Sequence, residues 1–233
     1  MHIGGFQKNS LIDFPGTVAC VVFTTGCNFS CPYCHNPDLA SGPVIGSGSQ
    51  DVQDIFTFLA SRKKLVDGVV ITGGEPCLQT DLMDFIRKIK DMGFAVKLDS
   101  NGSRPRVLAD LLSRSLVDYL AMDIKTAPTL YPDIMNSSLR VDAIQESVDL
   151  IMATAPAYEF RTTCVRPFIT KEIMETICMQ IRGAQKYVLQ NCSRHVKMLD
   201  PQFAQQPDRF FSDLEIQELK AIARKAVKTV LIR

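Results

Sequence analysis

A short apolar run, a turn and then an amphipathic segment recur along this chain, and that rhythm narrows the fold more than any other feature. The apolar runs are TVACVVFTT (17–25), DGVVITGG (67–74), FAVKLDS (94–100), VDYLAMDIK (117–125), YEFRTTCV (158–165) and KYVLQ (186–190). They are rich in β-branched and aromatic residues with little strict alternation, which suits strands buried on both faces of a parallel sheet. In TDLMDFIRKIKDMG, Leu82, Phe85, Ile86 and Ile89 share one helical face, and Gly93 follows as a stop. The spacing predicts further helices around 51–61, 105–115, 139–153 and 170–182. A last helix opens on SDLE, where Ser212 and Glu215 form a capping box and Leu219, Ile222, Ala223 and Ala226 the buried stripe.

Six strand–helix units imply right-handed crossovers and a parallel sheet. They are too few for a closed eight-stranded barrel, so an open partial barrel and a flat doubly wound sheet both remain. In either, ligands gather at the C-terminal ends of the strands. No linker or low-complexity tract divides the 233 residues, so one domain over 1–233 is expected. The stretch SGPVIGSGSQ (41–50) reads as a flexible loop beside the cysteines described next.

A net charge of +1 without a dense Lys/Arg run gives no electrostatic reason for a nucleic-acid or membrane partner. The opening MHIGGFQKNS has no export-signal pattern, so a cytoplasmic protein is expected. Its eight cysteines then read as metal ligands or small buried side chains, not disulfides.

Three of them crowd into TTGCNFSCPYCHNP, residues 24–37. The C-x-x-C-H ending matches covalent haem attachment, but that chemistry leaves Cys27 unexplained. Zinc could be closed by Cys27, Cys31, Cys34 and His35, although a structural finger usually pairs two knuckles. The spacing C-x3-C-x2-C favours a 4Fe–4S cluster, in which three thiolates leave one iron open to a ligand. Cys20 and Cys164 lie inside strand patterns and read as small apolar groups, and His195 as structural or exposed.

The other polar residues fall at the same strand ends. TGGEP (72–76) follows the second run, LDSNG (98–102) the third and MDIK (122–125) the fourth. Arg161 and Arg166 lie on the fifth, and LQNCSRH (189–195) ends the sixth. Taken singly, each reads as a tight turn, a helix cap or a surface pair. Gathered on one rim they describe a site. Exposed backbone at the glycines would receive an amino group, while Asp99, Ser100, Asn101, Asp123 and Lys125 would serve hydroxyls and a carboxylate.

The cysteine motif with Tyr33 before its last cysteine, GGEP on the second strand and D-x-K on the fourth resemble the radical S-adenosylmethionine superfamily. LIDFPG (11–16) followed by FTTGCNFSCPYCHNPDL (23–39) is similar to activating enzymes of glycyl radical enzymes. The opening GGFQKNSLIDFPG most resembles the longer form of the activating protein of anaerobic ribonucleoside-triphosphate reductase. The resemblance is dense over 4–39 and collinear to about 125.

What it implies is an α/β fold, an open partial (β/α)6 barrel of parallel strands. Cys27, Cys31 and Cys34 would hold one 4Fe–4S cluster whose open iron takes S-adenosylmethionine. Tyr33 would border the adenine, and Gly73, Gly74 and Glu75 would hold the amino group. Asp99, Ser100 and Asp123 would lie near the carboxylate or ribose, directly or through a monovalent cation. Lys125 and Arg161 would touch the cofactor, and Asp13 the incoming partner loop. The implied reaction is reductive cleavage to a 5′-deoxyadenosyl radical that takes hydrogen from a glycine of a partner enzyme. Flavodoxin or ferredoxin would donate the electron. A small-molecule enzyme such as a 7-carboxy-7-deazaguanine synthase is the alternative, and a zinc-stabilised binding module the non-enzymatic one. The next cysteine after the motif is Cys77, which argues against a second cluster.

Overall fold

Every residue of Ala19–Thr24 except Phe23 is buried, as a strand with packing on both faces requires. A computed structural model describes residues 1–42, 51–135 and 139–233. Most of the loop read at 41–50 therefore lies outside the described residues.

The strands are β1 (Ile3–Ser10), β2 (Ala19–Thr24), β3 (Gly68–Gly73), β4 (Ala95–Ser100), β5 (Tyr119–Asp123), β6 (Tyr158–Cys164), β7 (Lys186–Asn191) and β8 (Thr229–Ile232). The helices are α1 (Pro37–Ala40), α2 (Val52–Ser61), α3 (Leu82–Asp91), α4 (Pro105–Ser113), α5 (Asp142–Thr154), α6 (Lys171–Gln180), α7 (Pro201–Ala204) and α8 (Asp213–Ala223). The strands form one sheet in the order β1 to β8. β1 runs antiparallel to β2, and all later neighbours are parallel.

That unbroken order decides between the two architectures. A doubly wound sheet reverses its strand order, whereas sequential right-handed crossovers carry every helix to one face. The apolar stripes of α2, α3, α4, α5, α6 and α8 accordingly join a single cluster with Cys20, Val22, Val69, Ile71, Val96, Leu98, Leu120 and Met122. Alternate strand residues face the other way. There Phe14, Ala19, Val21, Val70 and Tyr119 form a small separate cluster. The sheet thus curves around its own inner face as an open, partial TIM-like barrel.

Two strands go beyond the six read from sequence. Half of the β1 residues are exposed and two are glycines, so it lacks an apolar signature. β8 has four residues, of which only Val230 is buried. Two helical features agree with the sequence reading: Leu82, Phe85, Ile86 and Ile89 are all buried, and Ser212 and Glu215 form the reciprocal capping box.

Candidate active site

The loop after β2 carries the cysteines and is fastened at several points. Gly26 N–H donates to Leu39 O (2.7 Å) and Cys27 N–H to Ala40 O (3.1 Å), while Ser30 N–H reaches Ile134 O (2.7 Å). Further along, Pro32 O and Cys34 O accept from Asp200 N–H (2.9 Å) and Leu199 N–H (3.1 Å). Tyr33 is buried between the rings of Phe168 and Phe203, with centroids 5.4 and 6.0 Å away. A loop held this way presents its side chains in fixed positions.

Those side chains line a cavity of about 300 Å³ at the C-terminal ends of the strands. The cavity brings together Asp13, Cys27, Cys31, Tyr33, Cys34, His35, Gly73, Gly74, Glu75, Asp99, Ser100, Asn101, Asp123, Lys125 and Arg161, all singled out from sequence. Thr163 and Gln190 join them. Arg166 does not: its guanidinium pairs with Glu215 (2.6 Å) and donates to Asp208 O and Phe210 O. His195 is exposed.

Gly73 and Gly74 form a cradle packed against the start of the cysteine loop. Gly73 has φ +113°, and a Cβ there would stand 2.5 Å from Thr24 N and O. A Cβ on Gly74 would stand 2.1 Å from Gly26 O, so only glycine lets the β3 end meet the cysteine loop. Gly74 N–H donates to Thr24 O and Glu75 N–H to Gly26 O, both at 2.8 Å.

Glu75 ties β3 to β4. It is 1% exposed. Its Oε1 accepts from Cys77 N–H (3.0 Å) and Ser100 Oγ–H (2.9 Å), its Oε2 from Asn101 N–H (2.7 Å). Burial pushes its carboxyl above the usual range, against the pull of those donors. Asn101 in turn donates to Asn28 Oδ1 (2.9 Å), so the β4 end also steadies the cysteine loop.

A chain of charges crosses the inner face. Arg161 Nε donates to Asp123 Oδ1 (2.7 Å) and its NH1 to Asp99 Oδ2 (3.0 Å). Lys125 Nζ donates to Asp123 Oδ2 (2.9 Å), and Lys97 Nζ to Asp99 Oδ1. Burial raises both carboxyl pKa values, but Arg161 with Lys97 or Lys125 outweighs it and holds both below the usual range. Lys97 was not singled out from sequence. The available signal was period two, since residues 97 and 99 of a strand share a face, as do Arg161 and Thr163.

Burial pushes the Cys31 thiol up to about 12 and raises that of Cys27, where the Phe29 N–H (3.4 Å from Sγ) opposes the shift. His35 lines the same cavity, and its Nε2 lies 3.2 Å from Cys192 Sγ. Among the described residues no three His, Cys, Asp or Glu side chains converge as for a single metal ion. The buried Tyr33 hydroxyl lies beside the Cys31 thiol yet finds no hydrogen-bond partner among the described residues. Three thiols, an unpartnered hydroxyl and a glycine turn gathered around one cavity fit a thiolate-held cluster with a small polar ligand.

A rim site of this kind on a sequential parallel sheet defines a class, and the chain belongs to the radical SAM superfamily, whose profile matches residues 21–177. Membership makes it an enzyme of radical chemistry and implies a 4Fe–4S cluster and S-adenosylmethionine. More narrowly, it is 31% identical over 236 residues to a protein of Methanocaldococcus jannaschii described as a glycyl-radical enzyme activating enzyme. That match covers 99% of this chain and 95% of the relative. The pyruvate formate-lyase-activating enzyme of Listeria monocytogenes is 35% identical over 135 residues, 53% of each chain. Among solved structures, Streptococcus suis SuiB bound to S-adenosylmethionine matches 91% of this chain with TM-score 0.67 at 13% identity. This chain spans 49% of SuiB, and the likeness there is one of fold. No described helix is long and apolar enough to cross a membrane.

Proposed function

We propose that this protein, acting as one radical SAM domain over 1–233, activates a glycyl radical enzyme, with anaerobic ribonucleoside-triphosphate reductase as the partner. The observation that carries the reading is one cavity lined together by Cys27, Cys31 and Cys34, the Gly73–Gly74 cradle and the Asp99–Arg161–Asp123–Lys125 charges. The near end-to-end similarity to an activating enzyme supports the choice of substrate class.

In this reading Cys27, Cys31 and Cys34 hold the cluster. When bound, the cluster supplies the electron that cleaves S-adenosylmethionine to the radical that removes hydrogen from the partner's glycine. The chain's own residues bind and orient. Backbone groups of Gly73 and Gly74 receive the ligand's amino group, and Glu75 acts by fixing that backbone to Ser100 and Asn101. Arg161 and Lys125 offer positive charge to its carboxylate, and Asp99, Ser100 and Asp123 offer acceptors to its hydroxyls. Tyr33 borders the adenine. Asp13, on the loop after β1, reaches the cavity edge from a segment whose Leu11 and Ile12 are 77% and 83% exposed. That loop is the side from which a protein segment would enter. Flavodoxin or ferredoxin serves as the reductant, and the cytoplasm as the compartment.

The test is electron paramagnetic resonance of a candidate partner incubated anaerobically with the reduced, reconstituted protein and S-adenosylmethionine. A glycyl radical doublet on anaerobic ribonucleotide reductase is expected. Deoxyadenosine formation with no radical on any glycyl radical enzyme would overturn the activase reading in favour of a small-molecule substrate.

A further inference from the structure

Asp99 and Asp123 are the two carboxylates among the residues that the family resemblance sets near the ligand's carboxylate or ribose, directly or through a monovalent cation, and in this chain their oxygens are already engaged. Arg161 spans the pair, its Nε on Asp123 Oδ1 and its NH1 on Asp99 Oδ2. The remaining oxygens, Asp99 Oδ1 and Asp123 Oδ2, accept from Lys97 and Lys125. Each of the four carboxylate oxygens thus already faces a cationic donor. Three positive side chains answer two negative ones, so a metal ion would have to displace a cationic donor from an oxygen it already occupies.

Lys97 completes this arrangement. It sits in the middle of β4 with its side chain 2% exposed and does not line the cavity. A lysine is almost never buried so fully without a partner, because the desolvated ammonium is costly. Its partner is Asp99, two residues on along the same strand face. Lys97 therefore acts on the ligand only through Asp99: it occupies Oδ1, so that Oδ2 is turned to Arg161.

We infer that Lys97 and Arg161 supply within the chain the positive charge that a monovalent metal ion would bring to the Asp99–Asp123 pair, so that S-adenosylmethionine binds without such an ion. Lys97 is the positioning residue of the set. The inference rests on the reading that S-adenosylmethionine occupies this cavity.

The experiment measures S-adenosylmethionine affinity by equilibrium dialysis on the anaerobically reconstituted full chain. Chlorides of potassium, sodium and the bulky tetramethylammonium are compared at equal ionic strength. For the wild type the dissociation constant is expected to agree within about twofold in all three salts, too little to reflect a lost site. Lys97→Met opens Asp99 Oδ1 to an external ion. Its affinity is expected to fall about tenfold in tetramethylammonium and to recover in potassium or sodium, while Lys97→Arg behaves as wild type. A wild type that loses about tenfold when both metal ions are withdrawn overturns the inference outright, even if the variants fail to fold. A Lys97→Met loss of the same size in every salt, or no loss at all, overturns the role of Lys97. Absence of binding in every salt would instead refute the placement of S-adenosylmethionine, and the inference with it.

Discussion

The Glu75 carboxylate at the end of β3 accepts the backbone N–H of Asn101 at the end of β4, at 2.7 Å and out of contact with solvent. With Cys77 N–H and Ser100 Oγ–H also on this carboxylate, two strand ends and the turn beneath the cavity are fixed by one side chain. Glu75→Gln must turn an amide NH2 toward one of these donors. It is expected to lower stability by about 1–3 kcal/mol, read as a lower urea midpoint with unchanged slope. An unshifted midpoint would mean the carboxylate is not the junction described.

The approach of β3 to the cysteine loop depends on the missing side chain at Gly74. Gly74→Ala drives a methyl to 2.1 Å from Gly26 O, which is backbone and cannot swing away. Gly5→Ala, whose methyl would meet only the Phe23 side chain at 3.5 Å or more, is the matched control. The first should cost about 2 kcal/mol or more and reduce iron retained on reconstitution, and the second about 0.5 kcal/mol or less. Equal effects in thermal melts and iron assays would refute the close approach.

Asp123 is held by Arg161 at 2.7 Å and Lys125 at 2.9 Å, with its side chain 22% exposed. Asp123→Asn leaves both cations facing a neutral amide and should destabilise the metal-free chain by about 3 kcal/mol near neutral pH. Its folded pKa lies below the unfolded value, so the carboxylate's stabilisation is fully present above the ordinary 3.8 and fades as pH falls below it. The wild-type advantage over Asp123→Asn should hold from neutrality to that point and shrink beneath it. A gap that widened in acid would reverse the sign and contradict the pairing.

Much of this was legible in the sequence because each signal is local. Helix α3 announced itself by Leu82, Phe85, Ile86 and Ile89, and helix α8 by Ser212 and Glu215, which need only 3.6-residue periodicity or cap chemistry. The stripe of α8 was read less well: Ile216 is buried where Ile222 is half-buried, and the helix ends at Ala223, short of Ala226. The rim residues were found because loops at strand ends carry polar groups that a core would not. Lys97 was not found. A lysine within a strand reads as solvent-facing, and only the curved sheet shows that its face is the barrel interior. Strands β1 and β8 were missed for the opposite reason, as edge strands held by backbone pairing with little apolar burial to mark them.

The central claim is that three cysteines of one loop, and no others among the eight, hold the group on which the chemistry depends. The most direct measurement is iron content and S-adenosylmethionine cleavage after anaerobic reconstitution of single alanine variants at every cysteine. The expectation is about four irons per chain with cleavage in the wild type and in the Cys20, Cys77, Cys164, Cys178 and Cys192 variants. Cys27→Ala, Cys31→Ala and Cys34→Ala should lose cleavage entirely. Cleavage retained in any of these three, or a colourless wild type holding stoichiometric zinc, would contradict the account.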